Sequence, residues 1–204
     1  MVSIVTLERE AMKTTILAAA IGLAFSTGAF AQAGSGTVQR DVNQQQRIEQ
    51  GLQSGSLNTR EASKLEREEG RVERDQSRAM KDGNLSPAEK ARLRREQNRV
   101  SRDINREENN AQRGNPNSAS SQRMQADVQR NINQQQRIEQ GVQSGSLTTR
   151  EAGKLERGQA RDSRLEARAG ADGNVSAKDQ QRVQRAENKQ SRRIRREKHD
   201  AQKQ

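Results

Sequence analysis

Nine residues, Asn43-Gln44-Gln45-Gln46-Arg47-Ile48-Glu49-Gln50-Gly51, return unchanged as Asn133 to Gly141, and the correspondence then runs without insertion or deletion to Ala111-Gln112 and Ala201-Gln202. A constant offset of 90 residues that keeps spacing as well as residue type describes two copies of one structural unit. Positions that matter to the unit must therefore be sought in both copies. Apolar residues are few but regularly placed. Val38, Val42, Ile48 and Leu52 fall within a stripe about 120° wide at 100° per residue, and Val128, Ile132, Ile138 and Val142 repeat it. A second helix is predicted from about Thr59 through Ala62, Leu65, Val72, Ala79 and Met80, and a third through Leu93, Val100, Ile104 and Ala111. The counterpart of the third keeps Val183, Ile194 and Ala201. Arg, Glu, Gln, Lys and Ala fill the other positions; all favour helix, and the mixed charges allow ion pairs three and four residues apart.

The boundaries are chemically explicit. Ser86-Pro87-Ala88-Glu89 offers a serine cap, a proline in the first turn and a glutamate three residues after the cap. Asn58 to Glu61 and Thr148 to Glu151 offer the same cap-to-glutamate spacing. Gly55, Gly83, Gly145 and Gly173 supply the left-handed turn that ends the preceding helix. The expected fold is all-α: two tandem three-helix repeats, helix-turn-helix-turn-helix, with long charged helices. Residues 38–113 form the first repeat, 114–121 a linker rich in Gly, Asn, Pro and Ser, and 122–204 the second repeat. Residues 32–37, with Gly34-Ser35-Gly36-Thr37, are expected to be a flexible N-terminal segment.

Residues 1–31 read as a secretory signal, with Lys13 as the positive start, an apolar stretch from Ile16 to Phe25 and a small-x-small cleavage site at Ala29-Phe30-Ala31. Glu8 and Glu10 are unusual before such a segment, which places the true start at Met12. The apolar stretch is too short to span a bilayer, so no transmembrane helix is expected in the mature chain, and the location is periplasmic or secreted.

Both phenylalanines, Phe25 and Phe30, lie in that segment, and the whole chain has no Cys, Trp or Tyr. Disulfides, thiol chemistry, cysteine-zinc sites and aromatic stacking platforms are thereby excluded. The single histidine, His199, stands near the C-terminus among Lys198, Asp200 and Lys203 and reads as a solvated tail residue. The two copies share no carboxylate pair away from ordinary helix surface, so an enzyme is not expected and no cofactor is implied.

Two loops recur in both copies. Asp82-Gly83-Asn84-Leu85-Ser86-Pro87-Ala88-Glu89 resembles the later half of an EF-hand calcium loop, with Asp82, Asn84 and Glu89 as ligand positions and Asp172, Asn174 and Asp179 as their twins. The positions where the first and third ligands should stand are Arg78 and Met80, and in the second copy Arg168 and Gly170. A helix stop followed by a capping box explains the shared residues; weak divalent-cation binding is the alternative. The run Gly-Val-Gln-Ser-Gly-Ser-Leu-Thr-Thr-Arg-Glu-Ala at 141–152, followed by Ala-Asp-Gly-Asn-Val-Ser at 171–176, resembles small exported helical-repeat proteins of Gram-negative bacteria. That resemblance implies a periplasmic setting and an all-helical fold, and it carries no catalytic residues.

The formal charge is +11, which favours encounters with anionic polymers. The expected anion-binding surface is Arg192, Arg193, Arg195 and Arg196, with Arg92, Arg94, Arg95 and Arg99 as a milder counterpart. Anionic envelope polymers or a helix-binding protein are the expected partners. Sequence-specific nucleic-acid reading is unsupported because no groove-binding motif appears, while self-association through the narrow apolar stripes fits the pattern.

Overall fold

The computed structural model describes residues 32–200, all of it helix and loop, with no strand among the described residues. Six helices follow in order: α1 (Gln32–Ser54), α2 (Thr59–Ala79), α3 (Pro87–Glu108), α4 (Ala119–Gln143), α5 (Thr149–Ala169) and α6 (Ala177–His199). The signal segment expected over residues 1–31 lies outside the described residues.

Capping chemistry sets the helix starts. Asn58, Ser86 and Thr148 each accept from the backbone N–H three residues on, while Glu61, Glu89 and Glu151 reach back to the cap N–H. Asp179 is one methylene shorter, and Ser176 caps α6 without the full reciprocal pair. The four loop glycines take φ of 75°, 88°, 71° and 90° at Gly55, Gly83, Gly145 and Gly173, a region closed to most side chains.

Three boundaries differ from expectation. Residues 32–37 form the first turns of α1, not a flexible segment, because Gly34 packs inward beside Met80 and Val142. The linker is confined to the residues before Ala119, since Ser118 caps α4 and Ser121 is buried in its first turn. Helix α3 ends at Glu108, so Ala111 is exposed beyond the stripe it was expected to extend; Ala201 lies outside the described residues.

The apolar stripes are spent inside the chain. Helix α2 runs antiparallel to α5, and α1 antiparallel to α4. Gly153 meets Met80 while Gly170 meets Ser63, and Gln125 meets the Leu52 carbonyl while Gly34 meets Val142, which sets both directions. Helix α3 lies on α1 and α2, and α6 on α4 and α5. Both apolar clusters mix the halves: Leu52, Leu65 and Ile104 pack with Met124 and Val128, and Met80 and Leu93 pack with Ile138 and Leu155. Neither α1–α3 nor α4–α6 closes a core alone. Where α2 crosses α5, Ser163 Oγ donates to Glu73 Oε2 at 2.9 Å, and these residues are 90 apart in sequence. Residues at equivalent sequence positions thus meet at this crossing, as an axis exchanging the two halves would require.

Candidate anion-binding site

Helix α2 carries Arg67, Arg71, Arg74 and Arg78, spaced four, three and four apart, which puts all of them on one face. Helix α5 carries Arg157, Arg161, Arg164 and Arg168 at the identical spacing, each offset from its partner by 90 residues. The antiparallel crossing brings the two rows to the banks of one groove. Its floor is made of small residues, Gly70 and Ser77 from α2 with Ala160 and Ala167 from α5. They allow the backbones to approach closely: a Cβ added to Gly70 would lie 3.2 Å from Ser163 Cβ and 3.3 Å from the Ala160 carbonyl.

The groove holds two adjoining depressions of about 350 and 290 Å³. One is bounded by Arg67, Arg71, Arg74, Arg164 and Arg168, the other by Arg157, Arg161, Arg164, Arg74 and Arg78. Every lining residue of the first has its 90-residue counterpart in the second, and Arg74 and Arg164 belong to both. At 1.5 Å per residue, each bank is about 17 Å long.

Counter-charge is scarce there. Arg78 pairs with Asp75 at 3.0 Å, and Arg157 donates to Ser77 Oγ at 3.4 Å. None of the other six guanidiniums has a carboxylate within ion-pair distance among the described residues, and the Nε of Arg74 is buried with no acceptor.

Beneath the groove the structure departs from expectation most sharply. Carboxylates were expected only on helix surface; instead Asp41, Glu66, Glu69, Glu73, Asp127, Glu156, Asp162, Glu166 and Glu187 are buried in the middle turns of the bundle. Burial pushes Asp41, Glu66, Asp127 and Asp162 each up to about 7 and Glu187 up to about 9. Glu69, Glu73, Glu156 and Glu166 are raised well above the usual carboxylate range, first by burial and then by the charge of neighbouring carboxyls, Asp41 and Glu66 among them. Most of their contacts are to amides. Gln45 donates to Glu66 at 3.0 Å, and its twin Gln135 to Glu156 at 3.2 Å and to Glu73 at 3.1 Å. Asp41 accepts from Gln76 at 2.6 Å and Gln97 at 2.7 Å. The equivalent trio in the second half is Asn131, Glu166 and Glu187, with Asn131 donating to both Glu166 oxygens at 2.8 and 2.9 Å. Acid and amide have exchanged places. Carboxyls that hold their protons this much more tightly cancel less of the arginine charge above them than solvated ones would.

The expected arginine clusters are not brought together. Arg92, Arg94, Arg95 and Arg99 lie on α3, and Arg192, Arg193, Arg195 and Arg196 on α6, helices that pack on different neighbours. Arg92 is 3.8 Å from Glu96 and Arg193 is 4.0 Å from Glu197, ordinary surface pairs one helical turn apart. The α2 and α5 arginines stand in the sequence as a row kept in both copies at unchanged spacing, less dense than the runs on α3 and α6.

The loop residues are engaged structurally. Asp82 Oδ1 accepts from Asn84 N–H at 2.9 Å and Asp172 Oδ1 from Asn174 N–H at 2.8 Å. Glu89 accepts from the Ser86 N–H and hydroxyl at 2.9 and 2.6 Å, and Asp179 from the Ser176 hydroxyl at 2.5 Å. Arg150 donates to the Asp82 carbonyl at 3.1 Å, and Arg60 reciprocally to that of Asp172 at 2.9 Å. A guanidinium thus occupies the approach to each loop, and no cluster of three or more acidic, histidine or cysteine ligands suited to a metal occurs among the described residues. His199 is exposed at the end of α6.

Comparison with family models, with curated proteins and with solved structures finds no match to this chain.

Proposed function

We propose that this is a non-enzymatic, exported protein built from two tandem helical copies, which binds an extended polyanion of the cell envelope along the α2–α5 groove. The observation that carries the reading is the row of eight arginines on two antiparallel helices, repeated at a 90-residue offset and left almost without carboxylate partners. A guanidinium presents a planar fork that takes a phosphate or carboxylate bidentately, and eight along about 17 Å exceed what one small anion can engage. Small floor residues favour the reading further, because they let a polymer backbone settle between the banks. The apolar stripes are buried between the halves, so a helix-binding partner is left without its expected surface. No helix among the described residues is long and apolar enough to cross a membrane.

Calorimetric titration with inorganic polyphosphate at several salt concentrations tests the proposal. Binding is expected to fall steeply with salt and to drop at least tenfold in R71Q/R74Q/R161Q/R164Q. The variant R192Q/R193Q/R195Q/R196Q is expected to stay within about threefold of the parent. The opposite ranking moves the anion surface to α6, and a salt-insensitive affinity removes the electrostatic basis altogether.

A further inference from the structure

The cleft between α5 and α6 forms a second site, and we infer that it takes a small amphiphilic anion, an acidic head on a short aliphatic body. Its volume is about 520 Å³, within the range of small-molecule pockets. The cleft at the equivalent place in the first half, between α2 and α3, measures about 220 Å³. The two differ in charge at most of their lining positions. Glu68, Asp75, Glu96 and Asp103 line the α2–α3 cleft, and at a 90-residue offset they become Gly158, Leu165, Ala186 and Arg193. The number of cations does not fall: Arg71 and Arg99 correspond to Arg161 and Lys189, and Arg196 lines the second cleft where Arg74 lines the first.

Loss of all four acids with retention of the cations does two things at once. It leaves the rim positive: among the described residues the one ion pair made by its cations is Arg193 with Glu197, at 4.0 Å, while Arg161 acts on the buried Asp162. It also replaces charged walls by apolar ones, with Leu165 and Ala186 half-buried and facing the space. The base changes as well: Val72 and Val100 of the first half become Asp162 and Gln190. Gly158 makes room for this, because a Cβ there would collide with the Gln190 side chain, which donates to the Leu155 carbonyl at 2.9 Å. Asp162 is 3% exposed, and its Oδ2 has no hydrogen-bond partner, an unsatisfied polar atom in the base of the cleft. The aliphatic body lies against Leu165 and Ala186, and the head meets Lys189, Arg193 and Arg196. Arg161 borders the α2–α5 groove too, so the test leaves it untouched.

Decyl phosphate below its micellar concentration, decanoate and inorganic phosphate are titrated calorimetrically into the protein, and the variant L165D/A186E installs the residues that the first half carries at those positions. The expected result is binding of decyl phosphate or decanoate at least tenfold tighter than inorganic phosphate, a tenfold or greater loss in the variant, and unchanged polyphosphate binding. The stronger of the two chains identifies the head group. Affinity equal to that of inorganic phosphate, or an undiminished affinity in a folded variant, overturns the site whatever the polyphosphate titration returns. Methyl resonances of Leu165 and Ala186 in the parent protein provide a second readout. They are expected to shift on addition of the tighter ligand, and their indifference overturns the proposal even if the variant does not fold.

Discussion

Asp127 lets the buried acids be weighed singly. It sits on α4 at 1% exposure, and its Oδ1 has no hydrogen-bond partner. Burial raises its pKa from 3.8 to about 7, with Arg130 opposing the shift. A carboxyl whose folded pKa lies above its unfolded value binds its proton more tightly in the native state. Its contribution to stability is therefore complete below about pH 4, is lost as pH climbs from there towards 7, and is constant beyond. A rise of about 3 units corresponds to ~4 kcal/mol at 1.36 kcal/mol per unit. Asp127→Asn keeps the shape and removes the titration. The variant is expected to match the parent at pH 4 and to be more stable by up to ~4 kcal/mol at pH 8. At about 2–4 °C per kcal/mol for a domain of this size, the melting temperature should rise by roughly 8–16 °C. Part of the gain reaches neighbouring groups, because the Asp127 charge also raises Glu66, Glu166 and Glu187. Melts of both proteins followed by far-ultraviolet circular dichroism from pH 4 to 8 measure the difference. A gap that does not change with pH would refute the reasoning, since it would mean that Asp127 is already ionised in acid or that its burial is not what moves it.

Arg74 and Arg164 border both depressions of the groove, so R74Q/R164Q should weaken polyphosphate binding more than R67Q/R157Q, and the slope of log affinity against log salt should become shallower by roughly 1.4–1.8, about 0.7–0.9 per lost contact; salt titrations of the two variants decide this. Gly51→Ala should lose about 1–3 kcal/mol in urea denaturation, because its Cβ would fall 2.5 Å from Leu57 Cδ1, an overlap that outweighs the ~1 kcal/mol of helix propensity gained. Millimolar calcium should leave the melting temperature of the native chain unchanged, since Arg60 and Arg150 cover the loops that the EF-hand likeness singled out; a rise abolished by Asp82→Asn and Asp172→Asn would reverse that conclusion. The fragment 32–113 should melt in a concentration-dependent way, because its apolar residues complete their burial only against a second unit; a concentration-independent, cooperative melt would show that one half suffices.

The helices, their caps and their apolar residues were legible because each depends on local spacing. A serine with glutamate three residues on, a glycine one to four residues after a helix, and Val or Leu at steps of three and four act within one or two turns. What the sequence conceals is which polar residues turn inward. Glu66, Glu69 and Glu73 occupy the same kind of position as the exposed Arg67 and Arg71 when read one residue at a time, and nothing local separates a buried glutamate from a solvated one. The decision belongs to the partner helix. Gln135 reaches Glu73 from 62 residues away, a contact that a one-dimensional pattern cannot express. The arginine groove was hidden for a related reason. Each row is an ordinary charged helix face until the antiparallel crossing sets it beside its own duplicate.

Two joined copies can do what a symmetric pair of identical units cannot. On an exact two-fold axis a glutamate at position 73 would face another glutamate, two unsolvated carboxyls competing for the same donors. In this chain the equivalent residue is Ser163, and its hydroxyl donates to Glu73 at 2.9 Å. The same relief recurs away from the axis, where Asp41 answers to Asn131, Glu69 to Gln159 and Gln76 to Glu166. Each exchange sets an amide in one half where the other has an acid, which lessens the repulsion that a symmetric assembly would concentrate in its core. The α2–α5 arginines show no such divergence: all four survive unchanged in both halves. Selective divergence in the core with identity on the groove is the pattern expected where the groove is used as a symmetric whole, because an extended anion gains from charge on both banks and from both directions along them.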